Sequence, residues 1–285
     1  MERLRPWQDA ARPVQAVLAP AGVAVGLGYA RWDAHAGGGF LGPAAILLAA
    51  WVAGLGVQLI DQAWDLLGEP PGSPIDARDA ATAGGIALAL AGALGLSIAP
   101  VVGAAPLGYG AAAVILGLAR GAPVVGLDTL GYGLGDLANV LALGPLASLA
   151  GYAARTGGGT LGAFLAGLPA GLVAASPLFA RHFTRPEADA ALSRMTPVVV
   201  LGLDQARRAL VALPLLAVAG IVLAVRAGET GRLAFAACAP MVLAAALAFP
   251  LPPAPDPAAY ERWQRRALAC ALVASALLVV GLIAV

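Results

Sequence analysis

Long apolar runs recur along the whole chain, separated by short stretches where charge, Gly and Pro gather. A helix that crosses the hydrocarbon core of a bilayer needs roughly 17 to 25 predominantly apolar residues. Bracketing the chain at its charges and Gly/Pro clusters predicts nine such helices, over residues 14–30, 40–60, 81–99, 102–118, 134–154, 161–180, 209–225, 233–249 and 267–285. The third and fourth are divided only by Pro100 and residues 103–106. Ahead of the first helix, Trp7 lies among Arg3, Arg5 and Arg12. That mixture fits a short interfacial segment that turns into the membrane at Pro13 better than a cleaved leader. The fold class expected is therefore all-α, a polytopic membrane protein with nine transmembrane helices in one domain spanning residues 1–285.

Composition removes the soluble alternative. Of 285 residues, 60% are hydrophobic and 12% charged, about half the charge of an ordinary globular domain. A net charge of +1 with no clustered basic face excludes nucleic acid as a partner. Cys238 and Cys270 both lie in apolar stretches and read as small buried hydrophobes.

The basic residues, all Arg, set an orientation. With the amino terminus in the cytoplasm, thirteen fall on inner segments and four, Arg31, Arg155, Arg226 and Arg232, on outer ones. The positive-inside rule then predicts a multi-pass protein of the cell membrane with its carboxyl terminus outside. Of the sixteen acidic residues only Asp33 and Glu229 fall on the outer side. Acids contribute little to orientation, so their gathering on the inner face calls for a functional explanation.

Two inner segments concentrate the polar residues. The first follows the second helix and carries Gln58, Asp61, Gln62 and Asp65, then Glu69, Asp76, Arg78 and Asp79. On a continuing helix Asp61 and Asp65, at i and i+4, share one face. Two carboxylates one turn apart repel unless a cation sits between them, and such oxygen ligands suit Mg2+ held jointly with a substrate phosphate. A solvated helix end with ordinary surface acids is the plain alternative. The second segment carries Arg181, His182, Arg185, Glu187, Asp189 and Arg194, then Asp204, Arg207 and Arg208. Guanidinium groups bind phosphate oxygens bidentately, so Arg185 and Arg194 are candidates to clamp a diphosphate, with a loop of local ion pairs as the alternative. By itself His182 reads as a polar loop residue. The sequence has no Walker-type loop, no zinc spacing and no nucleophile motif.

Nine helices with acidic motifs after the second and the sixth resemble the UbiA-type intramembrane prenyltransferases, and among them the 1,4-dihydroxy-2-naphthoate polyprenyltransferases of menaquinone biosynthesis. The opening Ala11, Arg12, Pro13 with Ala19 and Pro20 is similar to that family's, as is the run Gly133, Leu134, Gly135, Asp136 followed by Gly144, Pro145, Gly151, Tyr152, Thr156 and Gly157. Where the family's first motif carries Asn, Asn-Asp and Asp, this chain has Gln58, Asp61-Gln62 and Asp65; in the second motif Asp189 is retained and Arg185 replaces an Asp. Each exchange removes a carboxylate, and Arg185 adds a cation.

The resemblance implies a Mg2+-dependent transferase moving a polyprenyl chain from its diphosphate to an aromatic acceptor. It implies catalytic and metal-holding roles for Asp61, Asp65 and Asp189, and substrate-binding roles for Gln58, Gln62, Arg78, Arg120, His182, Arg185 and Arg194. The partners implied are polyprenyl diphosphate, an aromatic small molecule and membrane lipid. Two other readings are a non-catalytic binder of prenyl lipid on the same fold and a small-solute transporter. The spans themselves hold few ionisable residues and show no inverted repeat, which tells against the transporter.

Overall fold

The computed structural model of the chain describes residue 7 and residues 13–36, 39–67, 75–122, 125–131, 133–251 and 256–284. Arg3, Arg5, Arg12 and Glu69 lie outside the described residues. Those described form helices and connections, with no strand. In chain order the helices are α1 (Pro13–Ala16), α2 (Leu18–Asp33), α3 (Leu41–Leu66), α4 (Ala77–Val102), α5 (Ala105–Gly121), α6 (Leu127–Leu130) and α7 (Leu134–Leu141), which runs through a π-helical turn, Ala142–Leu146, into α8 (Ala147–Thr156). Then come α9 (Leu161–Phe179) with a 3-10 turn, Ala180–Phe183, the short α10 (Pro186–Ala191) and α11 (Pro197–Leu201), and α12 (Leu203–Arg226). A 3-10 segment, Arg232–Ala237, leads into α13 (Cys238–Ala248), and α14 (Pro257–Ile283) ends the bundle.

Ala and Leu dominate these segments and are strong helix formers, while polar caps and Pro mark the starts. The side chains of Asp76, Thr160 and Asp256 accept from the backbone N–H groups of Arg78, Ala163 and Ala259 at 3.1 Å each, satisfying orphan first-turn donors of α4, α9 and α14. At the boundary between the third and fourth predicted helices, α4 runs through Pro100, which lies in its last turn. The break is Gly103, at φ +83° and ψ 176°, a conformation open to Gly and strained for other residues. Pro106 then stands in the first turn of α5.

Six helical segments among the described residues are long and apolar enough to cross a membrane: Leu41–Leu66, Ala77–Val102, Leu134–Thr156, Leu161–Phe183, Leu203–Arg226 and Pro257–Ile283. The chain is a multi-pass membrane protein. The count read by those measures is six rather than the nine expected, because α2 has 16 residues, α5 has 17, and Arg232–Ala248 is a shorter apolar rod.

Leu134–Thr156 and Leu161–Phe183 are mostly enclosed by protein, whereas few residues are buried in the apolar windows of Leu41–Leu66 and Ala77–Val102. Leu48, Ile86 and Leu90 on the latter pair face outward, as lipid-facing residues do. In lipid, close backbone approach drives helix association, and small residues permit it. A Cβ added to Gly26 on α2 would meet Ser148 O of α8 at 1.9 Å, and one on Gly144 would meet Gly167 O and Gly171 N of α9 at 2.5 and 2.6 Å. The innermost rods are thus held at backbone contact. Below them Phe183 stacks on Tyr260, ring centroids 4.5 Å apart, within an apolar cluster that includes Leu210 and Trp263. That cluster anchors the 3-10 turn which carries Arg181 and His182.

Candidate active site at one end of the bundle

Asp61 and Asp65 lie in the last two turns of α3, whose helix continues past the expected end of the apolar span and keeps both carboxylates on one face. Both are buried, 3% and 4% exposed. Asp61 Oδ2 lies 2.7 Å from Arg120 Nη2, at the carboxyl end of α5, and 2.7 Å from Arg181 Nη1, at the end of α9. Asp65 Oδ2 receives Arg185 Nη1 at 3.1 Å and Arg181 Nη2 at 3.3 Å, and its Oδ1 receives Arg194 Nη1. The same Arg194 nitrogen lies 3.6 Å from Asp189 Oδ1. Burial opposes the charged form of Arg194, and Asp65, Asp61 and Asp189 more than offset this, so its pKa is raised.

His182 is buried, with Nε2 3.1 Å from Asp136 Oδ1 and Nδ1 3.9 Å from Asp189 Oδ2, and its ring meets the edge of Phe179. Asp128, also buried, has Oδ2 3.7 Å from Arg120 Nη1. Burial raises the Asp128 carboxyl above its ordinary range, and the nearby Arg120 and His182 only partly reverse this. Gly135 leaves the room Asp128 needs, since a Cβ there would collide with Asp128 Oδ1. The Asp128 carbonyl accepts from Met195 N at 2.7 Å, tying the α5–α7 connection to the segment that carries Arg194.

A cavity of about 440 Å3 opens from this cluster between α3, α4, α5 and the α7–α8 rod. Asp61, Arg120 and Arg181 form its charged end, and residues such as Ala53, Gly54, Gly92, Gly95 and Ala113 line its length. On α3 the lining runs from Ile46 to Asp61, roughly 22 Å at 1.5 Å per residue. Gln15, Gln58 and Asn139 also line it, and the Gln15 and Gln58 side-chain oxygens are buried without a hydrogen-bond partner.

The structure therefore brings together Asp61, Asp65, Asp189, Arg120, His182, Arg185 and Arg194, and sets Gln58 one turn further into the cavity. Gln62 is half-buried on α3 and does not line the cavity. Arg78 is a correction: it is exposed and does not line the cavity, because it stands in the first turn of α4, where its backbone N–H donates to the capping Asp76 side chain. Three members escaped the sequence reading of the site. Arg181 bridges both α3 carboxylates, Asp128 arrives on α6, between α5 and α7, and Asp136 in the first turn of α7. The signal for the latter was present in the concentration of Arg120, Asp128 and Asp136 within one short inner segment.

No family model matches the sequence, and no curated protein sequence matches it. Solved structures do. A UbiA homolog from Archaeoglobus fulgidus bound to GPP and Mg2+ is similar with a TM-score of 0.63 at 18% identity, over 98% of this chain and 100% of that one. The chain has the UbiA fold. A UbiA homolog from Aeropyrum pernix K1 shares it with a TM-score of 0.61 at 17% identity, over 93% of this chain and 97% of that one. So does a digeranylgeranylglyceryl phosphate synthase, at 0.62 and 15% identity over the full length of both.

The Mg2+ in one of those UbiA-fold neighbours raises the question of whether the carboxylates here suit a metal. No group of three or more His, Cys, Asp or Glu among the described residues is disposed to hold one. A Mg2+ ion at its usual distance of about 2.1 Å from Asp61 Oδ2 would stand at most about 5 Å from each of two guanidinium nitrogens. At an effective dielectric of about 20 each repulsion is roughly 7 kcal/mol and the attraction to Asp61 at about 3 Å roughly 11 kcal/mol, so Asp61 alone does not outweigh the two guanidiniums and the balance turns on the neighbouring carboxylates. The donor set assigned to Mg2+ from sequence, Asp61, Asp65 and Asp189, is in this arrangement a set of arginine acceptors and presents no metal site.

Proposed function

We propose that the protein transfers a polyprenyl chain from its diphosphate to an aromatic acceptor inside the membrane. The observation that carries this reading is a single cavity, apolar along most of its wall, that ends at Asp61, Arg120 and Arg181. An amphiphile with a hydrocarbon tail and a compact anionic head matches that division.

The guanidinium groups of Arg120 and Arg181 face the head. As the allylic C–O bond breaks, both bonding electrons leave with the diphosphate, and preorganised N–H donors stabilise the charge that develops there. Asp61 and Asp65 hold the arginines in place. The apolar wall keeps water from the allylic cation until the aromatic ring forms the new C–C bond and loses its ring proton. The Gln15 and Gln58 oxygens, unpartnered in the wall, supply acceptors for hydroxyl groups on the ring. Their presence supports a hydroxylated aromatic such as 1,4-dihydroxy-2-naphthoate and hence a place in menaquinone biosynthesis, with the charged end of the bundle on the cytoplasmic side.

Purified protein incubated with geranylgeranyl diphosphate and 1,4-dihydroxy-2-naphthoate should release diphosphate and form a prenylated naphthoate detectable by mass, and Arg181→Gln should abolish both. Release of diphosphate with no prenylated ring points to another acceptor. Folded protein that releases none rejects the transferase in favour of a prenyl-lipid binder.

A further inference from the structure

Five carboxylates, Asp61, Asp65, Asp128, Asp136 and Asp189, meet four guanidiniums and one imidazole at the charged end of the bundle. A cluster of carboxylates awaiting a metal would present unsatisfied oxygens. Here Asp61 Oδ2 already receives two guanidinium nitrogens at 2.7 Å, and both oxygens of Asp65 are engaged by arginine. The guanidiniums are less committed, because each carries five N–H donors. Arg120 spends Nη2 on Asp61 and reaches Asp128 only at 3.7 Å. Arg120 and Arg181 thus line the cavity with guanidinium groups, while Asp61 Oδ2 and both oxygens of Asp65 are already taken by arginine.

We propose that this site takes its diphosphate headgroup through guanidinium donors alone, from Arg120 and Arg181 in the cavity wall and Arg185 and Arg194 in the connection after α9, with no divalent cation. The inference rests on the prenyl-diphosphate reading above and adds how the head is held. Asp61 and Asp65 are positioning residues in this arrangement: they fix the arginines and repel the incoming anion. Removing the charge of Asp61 then leaves binding intact or tightens it, whereas a metal ligand lost at the same position would weaken it.

Titration calorimetry of the purified full chain with geranyl diphosphate, in excess EDTA and in Mg2+, tests this. The expected result is binding that differs by no more than about threefold between the two conditions, together with no saturable heat from Mg2+ alone. Asp61→Asn should bind the probe in EDTA at least as tightly as the parent, while Arg181→Gln should lose about tenfold or more in both conditions. A thermal unfolding profile confirms that each variant is folded before it is scored. Binding that gains tenfold or more from Mg2+, or that Asp61→Asn weakens, overturns the metal-free assignment and leaves the transferase reading standing. No binding of geranyl diphosphate in either condition overturns both.

Discussion

Replacing Arg181 with Met and Asp61 with Asn, singly and together, measures how strongly the charged cluster holds the bundle closed. Asp61 is 3% exposed and has two guanidinium partners at 2.7 Å. Stripping a buried charge of its sole partner costs about 3 to 5 kcal/mol. In this cluster Arg120 remains when Arg181 is lost, and Asp65 retains Arg185 and Arg194. The loss should be roughly half of that, about 2 kcal/mol for either single variant. The double variant removes one charge of each sign and restores the balance, so its loss should also be about 2 kcal/mol rather than the 4 expected of independent sites. Unfolding in mixed micelles with a denaturing detergent, followed by tryptophan fluorescence, reads the three differences against the parent. Losses that add to within about 0.5 kcal/mol would show that the two residues do not share an interaction, and the network argument would fall.

Other positions make narrower claims. Gly26→Ala puts a Cβ 1.9 Å from Ser148 O and should lower stability by 2 kcal/mol or more, whereas Gly85→Ala, with nothing within 4 Å, should move the unfolding midpoint hardly at all. Arg78→Ala should leave geranyl diphosphate affinity unchanged in the same calorimetric titration, since Arg78 is exposed and outside the cavity wall. Gln62→Asp restores a carboxylate three positions ahead of Asp65 and, in a cluster already held by arginine, should leave a magnesium titration of the transfer rate flat; a rise in rate or magnesium affinity would favour a weakened metal site. Gly92→Leu fills the cavity wall where a side chain meets open space, and product analysis should show a shift to shorter prenyl donors.

The helical bundle was readable in the apolar runs because lipid imposes length and hydropathy on every crossing segment. What hydropathy could not fix was how many segments meet a span's length, since α2, α5 and the Arg232–Ala248 rod fall at or below the lower margin. Within the site, the shared face of Asp61 and Asp65 followed from helical geometry. The reach of Asp189 and Arg194 to that face depended on the family resemblance. Asp128 and Asp136 were visible only as acids near Arg120 on one inner segment, because their part in the cluster is made by contacts between segments far apart in sequence: Asp128 O with Met195 N, and Asp136 with His182. Arg78 erred in the opposite direction. Nearness in sequence to the acidic motif suggested a place in the cavity, but Arg78 stands exposed in the first turn of α4, outside the cavity lining.

Arg181 shows most directly why the pattern admitted two chemistries. Two buried carboxylates one helical turn apart need a positive charge between them, and a divalent cation is one way to provide it. A guanidinium is another, since its planar fork presents two nitrogens that can each take a different carboxylate. In this protein Nη1 of Arg181 lies 2.7 Å from Asp61 and Nη2 lies 3.3 Å from Asp65, so one side chain from the end of α9 spans the spacing that had suggested a metal. Spacing on α3 together with the burial of both carboxylates establishes that a cation is required. Which cation fills the place depends on the residue that another helix delivers there, and here that delivery occupies Oδ2 of both carboxylates.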